Sequence, residues 1–459
     1  MTSDAMHQPD HGSHDQHRDA SGRQPCVEAR WERPVVAKTG GEATLLVRVV
    51  APTLENDTAG RAAPLDIAFV LDRSGSMAGG KLELAKVGVD LAVARLCDVD
   101  RTALVVYDHE VDPVQPLAAA TPRMKASLRL ALHGVDPGGS TFLSGGWVAG
   151  CQELAEARPI AEDAKASTRI RRVILLTDGL ANVGMLNPGE LARHAGELRQ
   201  RGIATTTLGV GRDFDEGLLS AMAEAGGGNF QYVADADELR TFFTTELQEL
   251  FSVAATGFTV TLRLPAGVGA ELVSAFPVEA RENALEVAIG DLPAADEIDL
   301  VFTIRAGQGA IGNLLPVGVT ACWTDPRVDA RRETDASPEP LERAEPGEVT
   351  AAAVDQLVAE RAALQRAAAE RRAGLELDRA GRLEESRDRM VRAYQLLEAA
   401  PMSAAVQADL QETESLAFMA ADAAYGSHVR KSAQHREDLR RRGRFGTPRR
   451  GAADWGGGG

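Results

Sequence analysis

The sequence predicts an α/β fold: a doubly wound, mostly parallel sheet inserted in a small antiparallel β-sandwich and followed by a C-terminal helical unit. Three observations lead to this prediction. Short apolar runs alternate with amphipathic helical segments between residues 64 and 250, apolar residues then recur at every second position, and helical periodicity follows beyond residue 349. At 459 residues the chain is also longer than one compact core usually allows, so more than one domain is expected.

The composition argues against several classes of function. The formal net charge is −17 and 44% of the residues are hydrophobic, which does not fit a general binder of nucleic acids or anionic membranes. The first residues, "MTSDAMHQPDHGSHDQHRDA", lack the basic start and apolar stretch of a signal peptide, and no apolar run approaches the ~20 residues that cross a bilayer. The four cysteines show no C-x-x-C spacing, so neither a disulfide framework nor a zinc site is indicated. We therefore expect a cytoplasmic protein without membrane insertion.

The N-terminal part of the chain predicts a tail and the first strand of the sandwich. Residues 1–26 are polar and rich in histidine, which favours a disordered tail and leaves adventitious metal capture open. Within residues 27–55, "EATLLVRVVAP" alternates apolar and polar positions as a half-buried strand does. The polar stretch "TLENDTAGRAA" that follows is typical of a linker.

The predicted α/β domain comprises residues 64–250. Its runs "LDIAFVLD", "TALVVYD", "RRVILLTDG" and "IATTTLGVG" are apolar enough to form strands that are buried on both faces. Amphipathic segments such as "KLELAKVGVDLAVARL" and "PGELARHAGELRQRG" lie between or after them, and "ADELRTFFTTELQELF" predicts the closing helix. Strands that alternate with helices form βαβ units, and hence a mostly parallel sheet.

Residues 255–325 predict antiparallel strands, because their apolar positions repeat with a period of two. A few such strands need another layer to cover their apolar face, and the strand within residues 27–55 is available to join them. We therefore predict a β-sandwich that is split by the α/β domain. Residues 326–348 contain the Pro-rich and charged stretch "DASPEPLERAEPGE", which predicts a linker.

The C-terminal part predicts helices and then a tail. Residues 349–425 show helical periodicity interrupted at "DRAG", which indicates a helical hairpin or bundle. Residues 426–459 form a basic block followed by glycines. A solvated tail explains this segment, and an arm that binds an acidic partner or RNA remains the alternative. Nucleic-acid binding is expected nowhere else in the chain.

The stretch "LDRSGSMAGGKL" permits two incompatible interpretations. One is the phosphate-binding loop G-x-x-x-x-G-K-[ST], with Gly75, Gly80 and Lys81 in register. In that pattern the residue after the lysine carries the hydroxyl that holds Mg²⁺, and here that residue is Leu82. Because leucine cannot ligate a metal, a nucleotide-dependent enzyme is retained only as the alternative.

The other interpretation is a metal site. Asp72, Ser74 and Ser76 stand at alternate positions just past the first buried strand, where ligands bind in open α/β sheets. Thr141 in "DPGGSTFLSGG" and Asp178 in "LLTDGLANVG" occupy equivalent places. Oxygen atoms are the ligands that Mg²⁺ prefers, and these five leave its shell incomplete. The open position would attract an acidic group from outside.

These residues resemble the von Willebrand factor A (VWA) domain family, in the version with an intact metal-ion-dependent adhesion site (MIDAS). The family motif D-x-S-x-S…T…D is matched by Asp72, Ser74, Ser76, Thr141 and Asp178. The resemblance covers about residues 64–250 and includes the stretch "TLGVGRDFDEGLLSAMAEAGGGNFQYVADADEL". The flanking strands and helices resemble bacterial VWA proteins related to the inter-alpha-trypsin inhibitor heavy chains and the calcium-activated chloride channels.

The resemblance implies a cofactor and a partner. Ser74, Ser76 and Thr141 would contact Mg²⁺, or Mn²⁺ or Ca²⁺ in its place, through their hydroxyls. Asp72 and Asp178 would hold the ion directly or through water. A Glu or Asp of a protein partner would complete the shell, and members inside bacterial cells often act as adaptors, some beside MoxR-type AAA+ ATPases. The implied function is therefore a metal-dependent protein-binding adaptor or scaffold with no catalysis of its own.

A hydrolase is the other enzymatic alternative. No G-x-S-x-G elbow surrounds either serine of the motif, and His109, His133 and His194 fall in no recognised triad signature. Nucleotide turnover that is lost on Lys81→Ala would favour an enzyme over a binding module.

Overall fold

The computed structural model of the chain describes the greater part of it. The described residues are 24–53, 63–156, 169–178, 181–211, 214–233 and 236–421. Most of the predicted N-terminal tail, most of the predicted linker "TLENDTAGRAA" and the basic and glycine-rich C-terminal tail lie outside the described residues. None of the helices within the described part combines the length and apolar character needed to span a bilayer.

The chain begins with strands that pair with a much later part of the sequence. These strands are β1 (Cys26–Trp31), β2 (Val35–Ala37) and β3 (Gly41–Val50). β1 pairs with β3 in antiparallel fashion, and Leu45, Val47 and Val49 of β3 are fully buried. Leu46 between them is also buried, at 1% exposed, because Val358 and Ala362 cover the other face of the strand. β3 is therefore covered on both faces and not half-buried as its alternating pattern predicts.

The α/β domain follows as a six-stranded sheet in the order β6-β5-β4-β7-β8-β9. Its strands are β4 (Leu65–Asp72), β5 (Arg101–Tyr107), β6 (Val111–Ala119), β7 (Ile170–Thr177), β8 (Ile203–Val210) and β9 (Gly227–Val233). All neighbouring strands are parallel except β5 and β6, which are antiparallel. The mostly parallel, doubly wound sheet is confirmed.

Helices cover both faces of this sheet. They are α1 (Lys81–Arg95), α2 (Pro122–His133), α3 (Leu143–Ala155), α4 (Pro188–Gln200), α5 (Glu216–Gly226) and α6 (Ala236–Phe251). Side chains of β4 alternate between the two layers: Phe69 faces the core beneath α1, α2 and α6, whereas Val70 faces the core beneath α3, α4 and α5. A strand with both faces buried is rich in apolar residues, and a buried polar residue needs a partner, as Asp66 of β4 accepts a hydrogen bond from Arg101.

The remaining strands complete the β-sandwich. They are β10 (Val253–Arg263), β11 (Val268–Leu272), β12 (Val278–Arg281), β13 (Ala284–Pro293), β14 (Glu297–Ala306), β15 (Leu314–Leu315), β16 (Gly318–Asp325), β17 (Ala330–Asp335) and β18 (Leu341–Ala344). One sheet has the order β1-β3-β14-β11 and the other β12-β13-β10-β16-β17. Their inner faces share one apolar core, so the strands before and after the α/β domain form one unit.

The prediction of a linker over residues 326–348 is wrong for much of its length. β17 pairs with β16 at the edge of the five-stranded sheet, and β18 pairs in parallel with β2. Edge strands tolerate charged residues because one side of their backbone and one face remain in water. Arg331, Arg332 and Glu333 of β17 are exposed in this way. Because these residues are charged, the sequence of β17 resembles that of a linker.

The C-terminal unit is helical, as predicted. Its helices are α7 (Pro346–Ala351), α8 (Gln356–Arg379), α9 (Leu383–Glu398) and α10 (Ala404–Ala421). α8 lies on the outer face of the four-stranded sheet, where Val358 and Ala362 pack against Leu46 and Val301. α9 packs on α8, and α10 packs on α9.

Candidate metal centre

The predicted oxygen donors lie at one edge of the six-stranded sheet. β4 ends at Asp72 and runs parallel to β7, with Leu71 opposite Leu176, so that Asp72 and Asp178 leave neighbouring strands side by side. The chain after β4 forms a 3₁₀ turn, Gly75–Met77, which carries Ser76. This edge holds the carboxyl ends of the parallel strands, the usual place for ligands in such sheets.

Asp72 is held by its own loop and by the neighbouring strand. Its Oδ1 accepts a hydrogen bond of 2.7 Å from the backbone N–H of Ser74, and its Oδ2 accepts one of 2.6 Å from the hydroxyl of Thr177. Burial raises the pKa of Asp72 above its ordinary value, although the hydrogen bonds from Thr177 and Ser74 act in the opposite direction. Its orientation is therefore fixed by two donors.

The two motif serines connect the Asp72 loop to Asp178. Ser74 Oγ lies 3.1 Å from Ser76 Oγ, and Ser76 Oγ donates a hydrogen bond of 2.7 Å to Asp178 Oδ1. The structure thus brings four of the five predicted donors into one chain of contacts: Asp72, Ser74, Ser76 and Asp178.

Thr141 lies in a loop that contacts both the loop after Asp72 and the loop after Asp178. Its backbone N–H donates to Asn182 Oδ1 at 2.8 Å, and its carbonyl accepts from the N–H groups of Asn182 and Val183 in the loop after Asp178. On its other side, Gly139 O accepts a hydrogen bond from Gly75 N at 2.9 Å. Thr141 is therefore placed between the loops that carry the other donors.

Burial distinguishes the donors from one another. Asp72 and Asp178 are 0% exposed, Ser74 is 1% exposed and Thr141 is 3% exposed. Ser76, by contrast, is exposed. The five donors, together called the recess, are therefore shielded from solvent at four positions and exposed at Ser76.

Asp108, which the sequence analysis did not assign to the site, positions the Thr141 loop. Its carboxylate accepts hydrogen bonds of 2.9 Å from the N–H groups of Glu110 and Gly139, and its carbonyl accepts one from Phe142 N. Burial acts to raise the pKa of Asp108, but these N–H groups and the nearby Arg73 outweigh it and lower the pKa. An aspartate directly after a buried strand was the available signal.

Lys81 is the second residue that the metal interpretation missed. Its Nζ lies 2.5 Å from Asp178 Oδ2, so the first residue of α1 reaches across to the end of β7. In the sequence, Lys81 matches only the phosphate-loop alternative. That alternative has no support in the structure, because Leu82, at the position of the required hydroxyl, is 3% exposed and packs in the core.

The donor set fits a hard divalent cation. It consists of two carboxylates and three hydroxyls, and oxygen atoms are what Mg²⁺, Mn²⁺ and Ca²⁺ take from proteins. Within the described residues, no group of three or more His, Cys, Asp or Glu side chains could hold a metal ion. A cation in this recess would therefore depend on the hydroxyls of Ser74, Ser76 and Thr141 as well as on Asp72 and Asp178.

Comparison with known proteins agrees with this architecture. Residues 66–245 match the family model of the von Willebrand factor type A domain. The chain contains a VWA domain. VWA domains typically mediate protein interaction or adhesion, and they commonly bind a divalent metal at the motif matched here. The match lies within residues 64–250, where the sequence resemblance was found.

Related proteins share the VWA domain in different contexts. The uncharacterized protein YfbK of Escherichia coli is 28% identical over 260 residues, which cover 54% of this chain and 43% of YfbK. Human inter-alpha-trypsin inhibitor heavy chain H3 is 30% identical over 161 residues, which cover 35% of this chain and 18% of the heavy chain. The chain thus spans less than half the length of either relative.

Solved structures resemble nearly the whole chain. A von Willebrand factor type A protein from Catenulispora acidiphila has a TM-score of 0.69 at 18% identity, covering 92% of this chain and 97% of that one. The ArnB paralog VWA2 from Sulfolobus acidocaldarius has a TM-score of 0.62 at 16% identity, covering 91% and 98%. At these identities the likeness concerns the fold: a VWA domain combined with flanking strands and helices.

Proposed function

We propose that this chain is a metal-dependent protein-binding adaptor or scaffold with no catalysis of its own. Its VWA domain would capture an acidic residue of a partner protein at a MIDAS formed by Asp72, Ser74, Ser76, Thr141 and Asp178. The convergence of oxygen donors at this edge of the sheet carries the proposal, above all the contacts of Ser76 Oγ with Ser74 Oγ and Asp178 Oδ1.

The recess explains how an acidic partner would be recognised. A bound divalent cation supplies positive charge and an open coordination position. The buried carboxylates of Asp72 and Asp178 fix one side of the site, and Ser76 marks the side that faces solvent. A Glu or Asp side chain of a partner can approach only from that open side.

The remaining parts of the hypothesis stay predictions. A MoxR-type AAA+ ATPase as the partner and a cytoplasmic location are further proposals, and both are consistent with an adaptor. No observation favours the nucleotide-dependent enzyme or the hydrolase.

The first experiment measures the binding of Mg²⁺ to the purified chain by isothermal titration calorimetry. Asp72→Asn should abolish binding, because it removes one of two buried carboxylates while keeping the side chain's shape. Asp98→Ala removes an exposed carboxylate just beyond α1 and should leave binding unchanged. Circular dichroism checks that both variants retain the fold.

The second experiment concerns the partner. Immobilised wild-type chain should capture its partner in Mg²⁺ buffer and release it in EDTA, whereas the Asp72→Asn chain should capture none. Capture by wild type in EDTA, or by Asp72→Asn in Mg²⁺ buffer, at the level of wild type in Mg²⁺ buffer would show that recognition does not use this site.

A further inference from the structure

Both carboxylate oxygens of Asp178 are occupied by groups of the chain itself. Oδ1 accepts the hydrogen bond from Ser76 Oγ at 2.7 Å, and Oδ2 pairs with Lys81 Nζ at 2.5 Å. The five-residue motif accounts for the first contact. It does not account for the second, which introduces a cation into the candidate metal centre.

The burial of Asp178 explains why a cation is useful there. Its side chain is 0% exposed, and Asp72 at the end of the adjacent strand is also 0% exposed. Two neighbouring carboxylates that are removed from water repel each other and lose their hydration. An ammonium group against Asp178 offsets part of both effects in the absence of a metal.

The path of the Lys81 side chain shows that its position is specific. Lys81 is the first residue of α1, and its stem passes over Gly211 at the end of β8. A Cβ on Gly211, whose φ is +80°, would lie 3.0 Å from Lys81 Cε and 3.4 Å from Nζ. The positive φ favours glycine at this position, and a side chain here would require the Lys81 stem to shift. The side chain of Lys81 is 28% exposed, so the ammonium group can also turn towards solvent.

We propose that Lys81 is a resident cation that balances Asp178 when no metal is bound and competes with the divalent metal for it. This inference rests on the proposed metal-dependent function and names the residue that sets its metal affinity. Loading the site requires Lys81 to give up Asp178 Oδ2, or to remain beside a second positive charge. Both alternatives weaken metal binding, so the chain would respond to higher metal concentrations than its donors alone would allow.

The test removes the positive charge of Lys81 and keeps an unbranched apolar side chain in its place. Lys81→Met should lower the Kd for Mg²⁺ about tenfold in calorimetry, which corresponds to about 1.4 kcal/mol. Lys81→Arg, which keeps the charge, should stay near the wild-type value. Lys86→Met is the matched control: Lys86 lies on the same helix and pairs with Glu83 at 2.7 Å, away from the recess.

Thermal unfolding provides a second measurement that does not use calorimetry. In thermal unfolding without metal, Lys81→Met should unfold at a lower temperature than wild type, because Asp178 loses its counter-charge. Added Mg²⁺ should then raise the unfolding temperature of Lys81→Met more than that of wild type. Lys81→Gln serves as the replacement variant if Lys81→Met does not fold.

The outcomes separate this inference from the proposed function. If wild type binds Mg²⁺ and Asp72→Asn does not, while the Lys81 variants bind as wild type does, the role of Lys81 is overturned and the metal site stands. Weaker binding by Lys81→Met would also overturn it. If wild type binds no divalent cation, both the proposed function and this inference fail.

Discussion

At the scale of single residues, the site depends on a hydroxyl outside the motif. Thr177, the last residue of β7, donates its hydrogen bond to Asp72 Oδ2 at 2.6 Å, and both residues are 0% exposed. A buried carboxylate oxygen without a donor is costly, because water cannot replace the lost bond. Thr177 therefore holds Asp72 in position through this buried hydrogen bond.

Thr177→Val should lower the free energy of unfolding by about 1–3 kcal/mol, because it leaves a buried oxygen of Asp72 without its donor. Thr102→Val on β5 is the control: the Thr102 hydroxyl is buried without a hydrogen-bond partner among the described residues, so its removal should be neutral or stabilising. Urea unfolding of both variants, measured without metal, compares them. A Thr177→Val chain as stable as Thr102→Val would show that Asp72 does not need this donor.

Asp72, Ser74 and Ser76 can be predicted from their spacing. Thr141 and Asp178 can be predicted from their places, in a glycine-rich loop ahead of a helix and at the end of a strand. Lys81 and Asp108 are different, since their roles depend on where side chains meet in space. Lys81 reaches Asp178 across Gly211, and Asp108 reaches Gly139 in another loop. Neither contact is encoded by a local spacing, and the place of Asp108 directly after a buried strand is the one signal that the sequence offers for either residue.

At the scale of elements, prediction worked where burial alone determines the sequence. β4, β7 and β8 could be predicted because strands that are covered on both faces are rich in apolar residues, although β8 also buries three threonines. β6 was missed because Pro113 and Pro116 interrupt it, and prolines are tolerated in an edge strand. Edge strands keep fewer apolar positions, so they leave a weaker signal than central strands do.

A buried ion pair links α8 to α10, in addition to the small apolar core that the helices share. Arg371 of α8 is 0% exposed, and its guanidinium donates to Asp409 Oδ2 and to Thr413 Oγ1 of α10, both at 2.8 Å. Asp409 is only 3% exposed. Removing one member of such a pair leaves the other charge buried and unpaired.

Arg371→Met should therefore destabilise the helical unit by about 3–5 kcal/mol, detected as faster amide hydrogen exchange in α8 and α10. Arg389→Met removes a more exposed arginine that pairs with Glu370 at 3.0 Å, and should cost no more than about 1 kcal/mol. Arg371→Met combined with Asp409→Leu should recover part of the protection. Unchanged exchange in Arg371→Met would contradict this account.

At the scale of the whole molecule, polar side chains join the three units. Arg199 of α4 donates to the carbonyl of Ala288 in β13 at 2.7 Å. α8 contacts both units. Its Gln365 Nε2 donates to Asp299 O of the sandwich at 2.6 Å. Its Arg379 forms an ion pair with Glu216 of α5 in the VWA domain. The VWA domain is therefore attached to the sandwich directly and also through the helices.

Arg199→Ala should weaken the contact between the VWA domain and the sandwich by about 1.5–3 kcal/mol, since it removes a charged donor from a carbonyl. Calorimetric unfolding should then show the two units separating into distinct transitions, or a lower unfolding temperature for one of them. Arg201→Ala, at an exposed position two residues later, is the control. Identical transitions in wild type and Arg199→Ala would show that this arginine does not couple the units.

The split sandwich has a consequence for synthesis on the ribosome. β3 pairs with β14 along its whole length, yet the two strands are separated by roughly 250 residues of chain. At about 5–20 residues per second, β3 waits on the order of 10–50 seconds before its neighbour emerges. During that time its apolar side chains, Leu45, Val47 and Val49, lack their final cover. The nascent chain therefore exposes an apolar strand while the VWA domain is still being translated.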